Sequence, residues 1–191
     1  MQRVLAHVGS TVLPWAIARR PDDMEVHMAK IEQSIEVAVP VREAYDQWTQ
    51  FESFPAFMKD VESVDQVDDS HLHWVATIGG QRKAWDAEIT EQVPDRRIAW
   101  RSTAGDRNAG AVGFQRVGEE RTQVTLTMDV EPEGVVETVG TATGIAGAMV
   151  RGDLERFKTF IEGRESATGA WRGEVRSGQV VRDDPLSPDR S

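Results

Sequence analysis

The chain has 191 residues, 39% of them hydrophobic and 28% charged, enough for one ordinary domain with a substantial core, or for one domain with tails. It contains no cysteine, which excludes a disulfide-stapled mini-protein, a Cys-ligated metal site, a thiol nucleophile and an iron–sulfur centre, and makes the cytoplasm the default compartment. With 32 acidic against 22 basic side chains the net charge is −10, so no nucleic-acid partner is expected, because backbone binding draws on an excess of Lys and Arg.

The first residues, MQRVLAHVGSTVLPWAIARR, look like a targeting peptide only superficially. His7, Gly9, Ser10, Thr11 and Pro14 interrupt the apolar run, and no small-residue cleavage site follows Arg19-Arg20. The stretch is too short and polar to span a bilayer, and no other segment approaches the required apolar length, so integral membrane association is not expected. Ordered patterning begins after Met28. Residues 1–27 therefore read as a disordered extension, and the domain is expected to start at Met28.

From Lys30 to Val39, Ile31, Gln33, Ile35, Val37 and Val39 alternate with Glu32, Ser34 and Glu36, the period of a strand with one wet face. Pro40 ends it. Val41, Ala44, Tyr45 and Trp48 then recur at helical spacing, and Thr49 with Glu52 forms a capping-box pattern ahead of FESFPAFM. That segment is too apolar to leave in water and must fold against a core or over a cavity mouth.

Next, Gly79-Gly80 separates two alternating runs, the signal for a two-residue hairpin. With Ile78 opposite Gln81, the register pairs Trp74 with Trp85, His73 with Asp86, Leu72 with Ala87 and His71 with Glu88. One face then holds both tryptophans with Leu72, Ala76, Ile78, Ala87 and Ile89. His71, His73, Thr77, Arg82, Asp86 and Glu88 fall on the other, solvated face. A four-residue connection over 93–96 sets Trp100 opposite Ile89, Ser102 opposite Ala87 and Arg101 opposite Glu88. Residues 110–117 and 121–131 continue the pattern, adding Val112, Phe114, Val124, Leu126, Met128 and Val130 to the apolar face.

A long helix over Gly134–Glu162 supplies the cover, with Val135, Val139, Ala142, Ala146, Met149, Val150, Leu154, Phe157 and Ile161 in one stripe. Gly140, Gly144, Gly147 and Gly152 each cost roughly 1 kcal/mol of helix stability. They either let the backbone approach closely or leave room beneath the helix. Beyond Arg164 the chain turns polar, with Trp171 as its only anchor, and residues 165–191 read as a flexible tail.

This order of elements is that of an α+β helix-grip fold, in which a curved antiparallel sheet wraps a long C-terminal helix, with two short helices after the first strand. Three separated segments, EVAVPVREAYDQWTQFESFPAFMKDVESV, AEITEQVPDRRIAWRS and VRGDLERFKTFIEGR, resemble the START-like (SRPBCC or Bet v1-like) superfamily of the polyketide cyclase/dehydrase and coenzyme-Q-binding type. The resemblance covers about residues 28–164. It implies a hydrophobic cavity between sheet and helix, closed at one end by the aromatic turn.

The faces derived above name its candidate ligand-binding residues: Trp74, Trp85, Trp100, Phe114 and Met128 from the sheet, Phe54 and Phe57 from the lid, and Ala142, Ala146 and Met149 from the helix. Ser102 and Lys83 are polar members of the same face. Lys83 could bind an anionic head group or, if desolvated, act as a base, although lysines near hairpin tips commonly snorkel to water. His73 opposite Asp86 has the spacing of an oriented general base, but the register sends it to the solvated side with Arg82, Glu88 and Arg101, a surface charge ladder. No metal site, cofactor or catalytic set is assigned.

Binding or transport of a small hydrophobic molecule (lipid, isoprenoid or aromatic polyketide-like) is the leading expectation, with a binding protein favoured over an enzyme. A polyketide cyclase/dehydratase is the alternative and requires polar cavity groups with perturbed proton affinity. A protein-interaction module, using Phe54, Phe57 and Trp171 to bind another protein or a second copy of the chain, is a third reading.

Overall fold

The computed structural model describes residues 29–130 and 139–183. The extension expected over 1–27, the start at Met28, and Val135 lie outside the described residues. Strand β1 (Ala29–Val37) keeps the predicted alternation, with Glu32, Ser34 and Glu36 exposed and Ile31 and Val37 buried. Helix α1 (Val41–Trp48) follows Pro40, whose fixed φ suits a helix start. Residues Phe51–Ala56 form a 3₁₀ turn without the expected capping box. Thr49 Oγ1 instead donates back to the Asp46 carbonyl at 2.7 Å, and Glu52 accepts from the Gln66 N–H.

Strand β2 (Val61–Gln66) was not foreseen in the sequence. It is an outer strand whose only fully buried side chain is Val64, too little apolar patterning to read locally. Strands β3 (His71–Ile78) and β4 (Gln81–Val93) then form the hairpin in the predicted register, from Ile78–Gln81 through Trp74–Trp85 to His71–Glu88. Both turn glycines have positive φ, 60° and 79°, the geometry of a tight hairpin turn. Strand β5 (Arg97–Gly105) pairs Trp100 with Ile89, Arg101 with Glu88 and Ser102 with Ala87, as expected.

Strands β6 (Asn108–Gly118) and β7 (Arg121–Val130) complete the order β1-β7-β6-β5-β4-β3-β2, every neighbouring pair antiparallel. Helix α2 (Val139–Glu162) lies along β1, so the architecture is α+β, an antiparallel sheet packed against a long helix. Val150, Leu154, Phe157 and Ile161 are its buried stripe. Phe157 meets Trp48 of α1 edge-on at 4.8 Å between ring centroids, and Tyr45 meets Phe114 at 5.6 Å. One core thus joins the helices to the sheet.

The expectation of a flexible tail from residue 165 is corrected for its described part. Strands β8 (Glu174–Arg176) and β9 (Gln179–Arg182) form a small hairpin, and β8 pairs with β4 at Glu91 and Gln92. Arg172 reaches Asp46 at 2.6 Å and Asp95 at 2.7 Å, and its guanidinium also lies over the Tyr45 ring. These two carboxylates hold its proton more tightly than an ordinary arginine's. Val175 is fully buried, and the Trp171 N–H donates to Thr49 Oγ1. Arg172 thus pairs with the domain, while Arg176 and Arg182 pair with Glu174 inside the segment itself.

Candidate functional site: a cavity beneath the long helix

Between the sheet and α2 lies a cavity of about 440 Å³, within the size range of small-molecule sites. Its deep wall is apolar, formed by side chains such as Trp48, Phe51, Leu72, Ile89, Ile98 and Leu126. Its polar lining comes from Asp60 before β2, Lys83 on β4, Asp106, Arg107 and Asn108 in and after the β5–β6 turn, and Asp153 on α2.

Of the residues anticipated from the sequence, Phe54, Trp74, Lys83, Trp85, Trp100, Met128, Ala146 and Met149 line the cavity. The hairpin register explains three of these, because it sends Trp74, Trp85 and Lys83 to one face of β3 and β4. Trp100 follows from pairing with Ile89. Gly110 makes room for that indole: a Cβ there would lie 2.5 Å from Trp100 Cζ2 and 2.8 Å from the Thr127 carbonyl oxygen.

Three anticipated residues are placed elsewhere. Phe57 is 1% exposed and buried among Trp48, Phe54, Phe157 and Phe160, a core contact. Phe114 is likewise core, between Tyr45 and Trp48. Ser102 Oγ accepts the Asn108 N–H at 3.0 Å and closes the β5–β6 turn, so it does not line the cavity. Ala142 belongs to α2, but its side chain lies outside the described residues. Phe54 and Phe57 are covered by their own chain, which removes them from any surface that a second copy could meet.

Lys83 has a side chain only 16% exposed, so it does not snorkel freely; its Nζ lies 3.6 Å from the Asp106 carboxylate. Asp153 was missed, although the sequence carries a signal for it: it falls four residues after Met149 and three after Val150, inside the apolar stripe. Its Oδ1 accepts the Lys59 N–H at 3.2 Å and pairs with Arg156, whose Nε donates to the Phe57 carbonyl. Burial pushes the Asp153 carboxyl above the usual range, although Arg156 draws it back.

On the opposite face, His73 Nδ1 lies 2.7 Å from Asp86, Arg101 pairs with Glu88, and Arg82 pairs with Glu62. His71 bonds Asp68. These are exposed pairs of the expected charge ladder, turned away from the cavity. Among the described residues no helix is long and apolar enough to cross a membrane.

Comparison with known proteins agrees with this geometry. A family model described as polyketide cyclase / dehydrase and lipid transport matches residues 37–159. A 17.2 kDa protein of Streptomyces lincolnensis from the melC2–rnhH intergenic region, described as uncharacterized, is 52% identical over 149 residues, 78% of this chain and 99% of that protein. A START superfamily protein from Mycobacterium smegmatis superposes with a TM-score of 0.61 at 15% identity, over 70% of this chain and 97% of that one. The Zhui aromatase/cyclase of Streptomyces sp. R1128 gives 0.55 at 18% identity, over 72% and 93%. At these identities the two structures share the fold.

Proposed function

The chain belongs to the polyketide cyclase / dehydrase and lipid transport family, and on that premise we propose that it binds a small hydrophobic molecule, lipid, isoprenoid or aromatic polyketide-like, beneath α2. The observation that carries this reading is the 440 Å³ cavity lined by four tryptophans, with its ionisable groups few and confined to Asp60, Lys83, Asp106, Arg107 and Asp153. Native mass spectrometry of the protein isolated from its own host is expected to show a stoichiometric apolar adduct. Ala146→Trp, which places an indole inside the cavity, should remove that adduct and weaken binding more than about tenfold, with little loss of stability. An adduct retained by Ala146→Trp, or a wild-type protein with no saturable apolar ligand, would count against the cavity as the site.

A second reading, a cyclase or dehydratase acting on a bound aromatic precursor, draws support from Asp153 and Lys83 at the cavity wall and from the name of the Zhui aromatase/cyclase. Asp153 can hold a proton at higher pH than an ordinary carboxyl, as a group that moves protons must. Its titration has a readout in stability. The folded chain binds this proton more tightly than the unfolded chain, so ionising it as pH rises from about 4 costs folding stability. Asp153→Asn keeps an oxygen acceptor for the Lys59 N–H and cannot ionise. Its urea midpoint relative to wild type is expected to rise between about pH 4 and pH 7. A flat or falling difference would mean that the Arg156 pair outweighs burial, leaving Asp153 an ordinary ion-pair partner.

A further inference from the structure

Among the described residues three buried side-chain nitrogen or oxygen atoms have no hydrogen-bond partner in the chain, and two of them are the indole nitrogens of Trp74 and Trp85. An indole N–H can only donate, and burying one without an acceptor costs about 1–3 kcal/mol. The two residues are a cross-strand pair, their rings 5.7 Å apart and 9° from parallel, and both line the cavity. Buried tryptophans commonly satisfy this group. Phenylalanines would supply a flat stacked pair with no donor to satisfy, so packing alone does not account for two adjacent indoles.

Around them the wall carries further donors, Lys83 and Asn108, beside the carboxylates of Asp60, Asp106 and Asp153. Lys83 stands two residues before Trp85 on the same face of β4, opposite Ala76 and 3.6 Å from the Asp106 carboxylate, and Asn108 stands on the cavity wall contributed by β6. We propose that Trp74 and Trp85 are a recognition pair for an sp² oxygen, so that the ligand carries a carbonyl-type acceptor on a flat apolar body. This rests on the cavity being the binding site. Both nitrogens are covered by neighbouring atoms, so the indole has to turn about its Cβ–Cγ bond to present its N–H to a ligand oxygen. A purely hydrocarbon ligand gains nothing from that turn, whereas a ketone or quinone gains up to two hydrogen bonds.

The test compares 9-fluorenone with fluorene, a planar ketone and its hydrocarbon counterpart, on the full ¹⁵N-labelled chain. The six tryptophans give six indole N–H resonances, and Trp74→Phe and Trp85→Phe identify the two concerned. Fluorenone is expected to move these two downfield, while fluorene binds without that shift. Each Phe variant should lower the preference for fluorenone over fluorene about five- to tenfold, read as the ratio of the two affinities within that variant. Fluorenone that binds but leaves both resonances where fluorene leaves them overturns the proposal, as does an unchanged preference in both variants. The wild-type spectra decide the question even if a variant fails to fold. If neither compound binds, the cavity reading itself fails, and the recognition pair with it.

Discussion

Phe157→Ala is expected to lower the unfolding free energy by about 3–5 kcal/mol, a large share of the stability of a domain this size. The side chain is fully buried, and its ring meets Trp48 at 4.8 Å and Phe57 at 5.1 Å, tying α2 to both α1 and the aromatic turn. Truncation loses that burial and leaves a void that the rigid aromatic neighbours on α1 and the turn cannot close. The loss should register as a lower urea midpoint at an unchanged slope, and Phe157→Leu should restore most of it. A cost below about 1 kcal/mol would show that α2 is not seated through this residue.

Arg172→Met is expected to cost about 3 kcal/mol, lowering the melting temperature by roughly 6–12 °C. The arginine is 14% exposed and bridges Asp46 and Asp95, so its removal takes the ion pair from Asp95 and leaves Asp46 only Arg42, at 3.5 Å. Burial already pushes the Asp46 carboxyl upward, and Arg172 is the main group opposing that shift. Arg172→Lys keeps the charge but not the two-armed geometry and should fall between. Asp46→Asn introduced together with Arg172→Met should recover part of the loss. A full loss retained in that double variant would place the cost in packing over Tyr45 instead of in the stranded charge.

The hairpin and its partners were legible in the sequence because their determinants are local. A two-residue glycine turn and a period of two fix each cross-strand pair from Ile78–Gln81 to His71–Glu88, and with them the side on which Trp74, Trp85 and Lys83 stand. Trp100 and Met128 followed from the same counting, and Met149 from the three-and-four spacing of the long helix. Face assignment alone did not distinguish cavity wall from core. Phe57 and Phe114 carry the right pattern, but other aromatic rings fill the space around them. Ser102 was lost to the β5–β6 turn, where its hydroxyl is occupied by the Asn108 N–H. The C-terminal segment was illegible for a different reason. Arg172 depends on Asp46, 126 positions away, and on Asp95, 77 away, and no local periodicity records such a pairing.

The seating of β8 also bears on how the protein behaves when cut. Strand β3 pairs with β4 only as far as Glu88, and β8 bonds the same strand further along, at Glu91 and Gln92. A protease acting just after α2 would strip this cover and uncover a stretch of unpaired backbone donors and acceptors. Such an edge recruits strands from other molecules. The clipped domain would therefore be prone to self-association even with its cavity and long helix intact, and its solubility would depend on a segment remote from the ligand.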